Sequence, residues 1–134
     1  METQIVETVL RHYPTVQGIY LFGSYAAGNA WPDSDVDVAL LLPPVQAKAA
    51  RSLALSPCHL ELAETLHKDV DLVNLRQVST VFQMEIIYGK LLYCADQYAV
   101  DEFEMLTLSY YQKLNEERRE ILEAFYETGR AYSV

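Results

Sequence analysis

The chain has 134 residues, 51% of them hydrophobic, with ten Lys and Arg against nineteen Asp and Glu. That length supports one ordinary domain with a real core and leaves little chain for a separate substrate-binding domain. A formal charge of -9 disfavours a nucleic-acid ligand, since Lys and Arg neutralising phosphates supply most such affinity, and the longest apolar run, "VALLL" at 38–42, is far too short for a membrane span.

From Thr3 to His12 the apolar residues Ile5, Val6, Val9 and Leu10 recur at helical spacing, and Pro14 ends the pattern. "VQGIYLFGS" (16–24) is rich in β-branched and aromatic residues and reads as a strand running into a tight turn at Gly23. "DVDVALLL" (35–42) is a second strand, closed by Pro43 and Pro44. Residues 45–68 read as helical, divided in two at Pro57. "DVDLVNL" (69–75) is a third strand, 77–88 a helix, and "KLLYC" (90–94) a short fourth strand. Beyond Asp96, Phe103, Leu106, Tyr110, Leu114, Ile121 and Phe125 recur at helical intervals with no Gly or Pro before Gly129. That pattern predicts a long amphipathic helix of roughly eight turns at about 3.6 residues per turn. Its first half is expected to pack on the sheet through Phe103 and Leu106, which leaves Ile121, Phe125 and Tyr126 as a docking stripe. There are no internal repeats. Cys58 and Cys94 lack metal-ligand spacing, and the N-terminal "METQIVETVLRHY" is charged rather than secretory, so a reduced, soluble, cytoplasmic protein is expected.

The chemistry concentrates in "LFGSYAAGNAWPDSDVDVALLL" (21–42). Side chains alternate faces along a strand, so Asp35 and Asp37 point the same way while Val36 and Val38 enter the other layer. Two neighbouring carboxylates stay ionised together only with a cation or strong donors to compensate. Hard oxygen ligands of this kind suit Mg²⁺, which takes one or two carboxylates plus water and substrate phosphates. Asp71, flanked by Val70 and Leu72, completes a triad if its strand lies beside the second. Gly23 permits a turn that a side chain would obstruct, and Ser24 then opens a short helix whose free backbone N–H groups can bind phosphate. Together these parts read as a nucleoside-triphosphate site for in-line phosphoryl or nucleotidyl displacement assisted by two metal ions.

Blander readings apply to several of these residues. A lone Asp-x-Asp is more often a turn or surface feature than a catalytic pair; the Gly-Ser turn and the second acidic strand lift this one above that. Tyr25 either stacks on a base or packs in the core, and both readings stay open. Asp33 and Asp69 read as loop or strand-end residues. His12, His59 and His67 show no metal spacing, Cys58 and Cys94 read as inert core positions, and no Ser-His-Asp arrangement recommends nucleophilic catalysis.

Gly23-Ser24, ten intervening residues, Asp35-Val36-Asp37 and then Asp71 in a later strand resemble the signature of the DNA polymerase β-like nucleotidyltransferase superfamily. The missing second domain resembles its minimal nucleotidyltransferases, the MNT proteins of prokaryotes, with similarity over about residues 15–95. The resemblance implies an α/β (α+β) fold, a mixed sheet flanked by helices, with residues 1–95 as the transferase domain and 96–134 as a C-terminal helix for packing and partner docking. It further implies that Asp35, Asp37 and Asp71 are catalytic and bind two Mg²⁺ ions, with Asp71 near the acceptor hydroxyl. Gly23 and Ser24 would hold the triphosphate of ATP, with Tyr25 beside them in the nucleotide site.

Many such proteins are the antitoxins of HEPN/MNT pairs. The resemblance therefore implies transfer of AMP from ATP to a tyrosine hydroxyl of a basic, helical HEPN-type ribonuclease toxin, in a hetero-oligomer with it. Members often carry Arg three residues after the Ser; this chain has Ala27, and Lys48 and Arg51 are the replacements nearest in sequence. Two other functions stay open. One is a degenerate transferase that neutralises its partner sterically, and the other is transfer to a small hydroxyl compound, for which related enzymes carry an additional substrate domain.

Overall fold

The computed structural model describes residues 1–128, so positions 129–134 of the helix expected over 96–134 lie outside the described residues. Helix α1 (Glu2–His12) buries Ile5, Thr8 and Val9, the one-sided stripe of an amphipathic helix. Strand β1 (Gly18–Phe22) is buried at every position, as befits an inner strand covered on both faces. The single turn α2 (Ser24–Ala27), strand β2 (Val36–Leu41) and helices α3 (Pro44–Ala50) and α4 (Pro57–Leu66) follow. Next come β3 (Val70–Asn74), a 3₁₀ turn (Leu75–Gln77), α5 (Thr80–Ile87), β4 (Lys90–Cys94) and α6 (Gln97–Thr128).

Pro57 does not interrupt a helix; it occupies the first position of α4, where its missing N–H has no helical partner to lose. Ser56 caps that end by accepting from His59 N at 3.2 Å. His59 in turn ties α4 to the sheet, its Nδ1 accepting from Leu55 N at 2.7 Å and its Nε2 donating to Val70 O at 2.6 Å.

The four strands form one sheet in the order β3-β2-β1-β4. β1 is antiparallel to both β2 and β4, whereas β2 and β3 are parallel and therefore need the α3–α4 crossover between them. Alternating side chains divide the interior into two layers. Val36, Val38 and Leu40 face α1 and α4 with Ile5, Val9 and Leu62. Ala39 and Leu41 face α5 and α6 with Tyr20, Ile86, Val100 and Phe103.

Helix α6 joins this second layer through Val100, Phe103 and Thr107. Leu106, expected to pack there, is instead 45% exposed. At about 100° per residue it stands roughly a quarter turn from the centre of the buried stripe. Tyr20 fastens the helix by donating to Glu104 Oε2 at 2.6 Å. Arg76 adds a second tie, its Nε donating to Leu42 O at 2.6 Å and its guanidinium lying over the Phe103 ring. No helix among the described residues is long and apolar enough to cross a membrane.

Candidate active site

The sheet lays the two halves of the motif side by side. Asp37 pairs with Phe22 of β1 on one flank and with Asp71 of β3 on the other. Gly23, one residue beyond Phe22, therefore lies at the end of a line across three strands. Its φ of +72° and ψ of -151° are rarely accessible to residues with a side chain, and a Cβ there would come within 2.2 Å of Asp37 Oδ2. Asp37 shares its strand face with Ala39 and Leu41, and Asp71 shares its face with Val73. The carboxylates thus belong to the α5–α6 side of the sheet.

Asp35 departs from expectation. It precedes β2 and is exposed, because the β2–β3 ladder begins where Val36 N donates to Asp69 O at 2.9 Å. The structure brings together Asp37 and Asp71, with Asp35 at the rim. Burial, followed by the charges of Asp71, Asp35 and Glu85, raises the Asp37 pKa above its ordinary 3.8. None of these four carboxylates has a salt-bridge partner among the described residues. No three acidic, His or Cys side chains among the described residues are already gathered closely enough to enclose a metal ion. A facing pair of repelling carboxylates nonetheless suits a hard cation that also draws on water and phosphate oxygens.

Two clefts meet this line of residues. One, of about 460 Å³, runs between Gly23, Ser24 and Asn29 on one side and Glu85, Tyr88 and Gly89 on the other. The other, of about 680 Å³, has Asp71 in its wall together with Lys48, Arg51, Asn74 and Val78. Lys48 and Arg51 are therefore absent from the walls of the Gly23–Ser24 cleft and do not stand in there for the missing Arg at Ala27. Asn74 sets the end of α3, its Nδ2 donating to Ala47 O at 2.8 Å and to Arg51 O at 2.7 Å. Asn74 Oδ1 is buried without a hydrogen-bond partner among the described residues, an arrangement that costs stability while fixing the α3 terminus.

Tyr25 lines neither cleft. It packs half-buried against the α1–α4 core, with Lys68 Nζ 5.7 Å from its ring centroid, because the one-turn helix α2 turns its second residue toward the core. Glu85, Tyr88 and Gly89 were missed in the sequence. Gly89 carried a turn signal, but not its closeness to β1, where a Cβ would come within 2.5 Å of Leu21 O. Both cysteines are free, and burial pushes the Cys58 thiol up to about 11, which makes it a poor nucleophile.

Known proteins resemble this chain in sequence and fold. The chain matches the Polymerase beta, Nucleotidyltransferase family over residues 4–98. It is 38% identical over 124 residues to the protein adenylyltransferase MntA of Shewanella oneidensis, a match covering 91% of this chain and 85% of that protein. A toxin-antitoxin crystal structure with AMP-PNP contains a chain matching at TM-score 0.71 and 33% identity, over 91% of this chain and 95% of that one. A structure of the tri-AMPylated Shewanella oneidensis HEPN toxin in complex with its MNT antitoxin matches at TM-score 0.65 and 31% identity, over 91% and 92% of the two chains. With the Gly-Ser turn set against the paired aspartates and the family match spanning the whole sheet, this chain belongs to the polymerase β-type nucleotidyltransferase family.

Proposed function

We propose that this chain is a Mg²⁺-dependent antitoxin that transfers AMP from ATP to a tyrosine hydroxyl of a HEPN-type ribonuclease toxin and so neutralises it. The observation that carries the reading is the register of Asp37 with Asp71, directly beside the Gly23 turn. The likeness to MntA and to the antitoxin of an AMPylated toxin supports it.

Asp37 and Asp71 would hold the metal, with Asp35 reaching from the rim. When bound, Mg²⁺ supplies charge to the phosphate oxygens and eases deprotonation of the acceptor. Gly23 keeps the floor of the cleft free of side chain, and the first N–H groups of α2, which have no helical acceptors, face the triphosphate. The tyrosine oxygen attacks the α-phosphorus as the bond to the bridging oxygen breaks and pyrophosphate departs. Asp71, in the wall of the second cleft, takes the hydroxyl proton.

The acceptor arrives on another protein. Along α6, every described side chain beyond Tyr111 is exposed, Leu114, Ile121, Leu122 and Tyr126 among them, and an apolar surface of that extent marks a contact site. The charge of -9 favours a basic partner over direct binding of nucleic acid. The free thiols fit a reducing cytoplasm.

Intact-mass measurement of the partner after incubation with this chain, ATP and Mg²⁺ tests the reading. The partner should gain AMP and lose ribonuclease activity together. A partner that is silenced at unchanged mass would establish the steric antitoxin instead.

A further inference from the structure

We propose that Lys68 is a positioning residue of the reaction: its ammonium ties the loop ahead of Asp35 to the strand that carries Asp71 and to the short helix that begins at Ser24. The inference rests on the AMP-transfer reading above and assigns to the same site a residue outside the Gly-Ser and Asp-x-Asp motifs.

The parts of the site meet at one edge of the sheet but come from different segments of the chain. Gly23 follows β1, Asp35 precedes β2 and Asp69 precedes β3. Asp37 and Asp71 are fixed by strand pairing. Asp35 stands in neither ladder and takes its position from the loop before it. That loop closes on itself, Ser34 N donating to Trp31 O at 2.9 Å and Trp31 N to Ser34 Oγ at 2.7 Å, with Pro32 second in the turn, where its fixed φ belongs. A turn closed in this way is firm within itself and still free to swing as a unit. Among the described residues, the one hydrogen bond that joins 30–34 to another element runs from Lys68 Nζ to Pro32 O at 2.5 Å.

The fold places Lys68 for that bond. His67 ends α4 in the left-handed conformation, with φ 53° and ψ 40°. Lys68 N donates to Ala63 O at 3.4 Å and Asp69 O accepts from Val36 N at 2.9 Å, so the backbone is held on both sides of the side chain. Asp33, Glu64 and Asp69 line a cleft of about 550 Å³ together with Lys68, yet among the described residues Lys68 forms a salt bridge with none of them. Its ammonium goes instead to the Pro32 carbonyl and over the Tyr25 ring, 5.7 Å from the centroid.

A charged donor strengthens the first contact, and the ring quadrupole attracts the same charge. Tyr25 follows Ser24 in α2, and Asp71 lies three residues after Lys68. One side chain thus sets the rim carboxylate and the phosphate-facing turn relative to each other and to Asp71. Lys68 acts through Pro32 and Tyr25 rather than on the reacting atoms. Without its ammonium, Asp37 and Asp71 keep their register while Asp35 and α2 lose their shared anchor, so the loss falls on Mg²⁺ and ATP rather than on the partner.

The test compares Lys68→Met, which keeps the apolar stem and removes the donor, and Lys68→Arg, which keeps a charged donor, with the unaltered full chain. Trp31, the one tryptophan of the chain, reports on the loop without a label. In metal-free, nucleotide-free protein, time-resolved fluorescence anisotropy of Trp31 should show added nanosecond motion in Lys68→Met and not in Lys68→Arg. In transfer assays Lys68→Met should raise KM for ATP, and the Mg²⁺ needed for half-maximal rate, about tenfold, with KM for the partner within about twofold of the unaltered value. Lys68→Arg should restore most of that loss. Unchanged anisotropy in Lys68→Met, equal rises in both KM values, or an Arg variant no better than the Met variant would overturn the role. An unaltered chain that transfers no AMP removes the transfer reading and this role in the reaction with it, whereas the Trp31 anisotropy, read without ATP, metal or partner, changes only if the tie exists.

Discussion

A Cβ on Gly23 would fall 2.2 Å from Oδ2 of Asp37, so the residue that makes the turn and the residue expected to bind metal are in direct contact. Any side chain at this position must displace the carboxylate or shift β1, and must also adopt a φ of +72°. Gly23→Val is therefore expected to lower stability by at least the ~1–3 kcal/mol typical of such backbone strain and to eliminate ATP-dependent transfer. Ser24→Ala, which removes only a hydroxyl, should weaken ATP use while partner binding persists. Thermal melting, ATP titration and co-purification with the partner separate these effects; normal ATP affinity in both variants would remove the turn from the nucleotide site.

Asp37→Asn keeps the side-chain shape and removes a charge. Burial and then Asp71, Asp35 and Glu85 raise the folded pKa above 3.8, so the folded chain binds this proton up to a higher pH than the unfolded chain does. The resulting cost is absent below about pH 3.8 and complete once the pH exceeds the raised value. Without metal, the Asn variant should melt above the unaltered chain at pH 7, with the gap closing as pH falls. Transfer should drop on the order of 10²–10³-fold, the equivalent of several kcal/mol of transition-state charge stabilisation. A melting gap that does not change with pH, or full transfer activity, contradicts the account.

Tyr20→Phe tests how α6 is fastened. Burial, and then the Glu104 carboxylate, hold the Tyr20 phenol well above its ordinary pKa of 10.0, so it remains a donor throughout the neutral range. Losing this half-buried hydrogen bond should cost about 1 kcal/mol and lower Tm by roughly 2–6 °C. Hydrogen exchange should accelerate in the first turns of α6 before it does in β1 or β2. Unchanged exchange in α6 would mean that Val100 and Phe103 hold the helix unaided.

Ending the chain after Asn115 removes only exposed described side chains, while Val100, Phe103 and Thr107 stay in the core. Folding and ATP binding are therefore expected to persist, and transfer to the partner to fall. Association of the full chain should also slow as salt is added, because a charge of -9 steers a basic partner through a field that salt screens. Surface plasmon resonance over a salt series measures both; full transfer by the shortened chain would exclude the distal helix as the docking surface.

The sequence by itself determined what depends on near neighbours. The period of the apolar residues located α1, β1, β2, β3, α5, α6 and, to the residue, β4 at 90–94. Gly23 marked the turn, and the alternation around Val36 and Val38 showed that Asp37 leaves the buried layer on that side. Only the tertiary structure decided what depends on partners distant in the chain. Strand order set Asp37 against Asp71, closure of α5 onto β1 brought Glu85 into the electrostatics of Asp37, and the α3–β3 contact carried Lys48 and Arg51 to the Asp71 side. Leu106 was misjudged and Tyr25 left open for one reason: spacing says which residues share a face, while packing chooses which face turns inward. On a helix of one turn, or on a long helix with apolar residues around much of its circumference, that choice has no local signature.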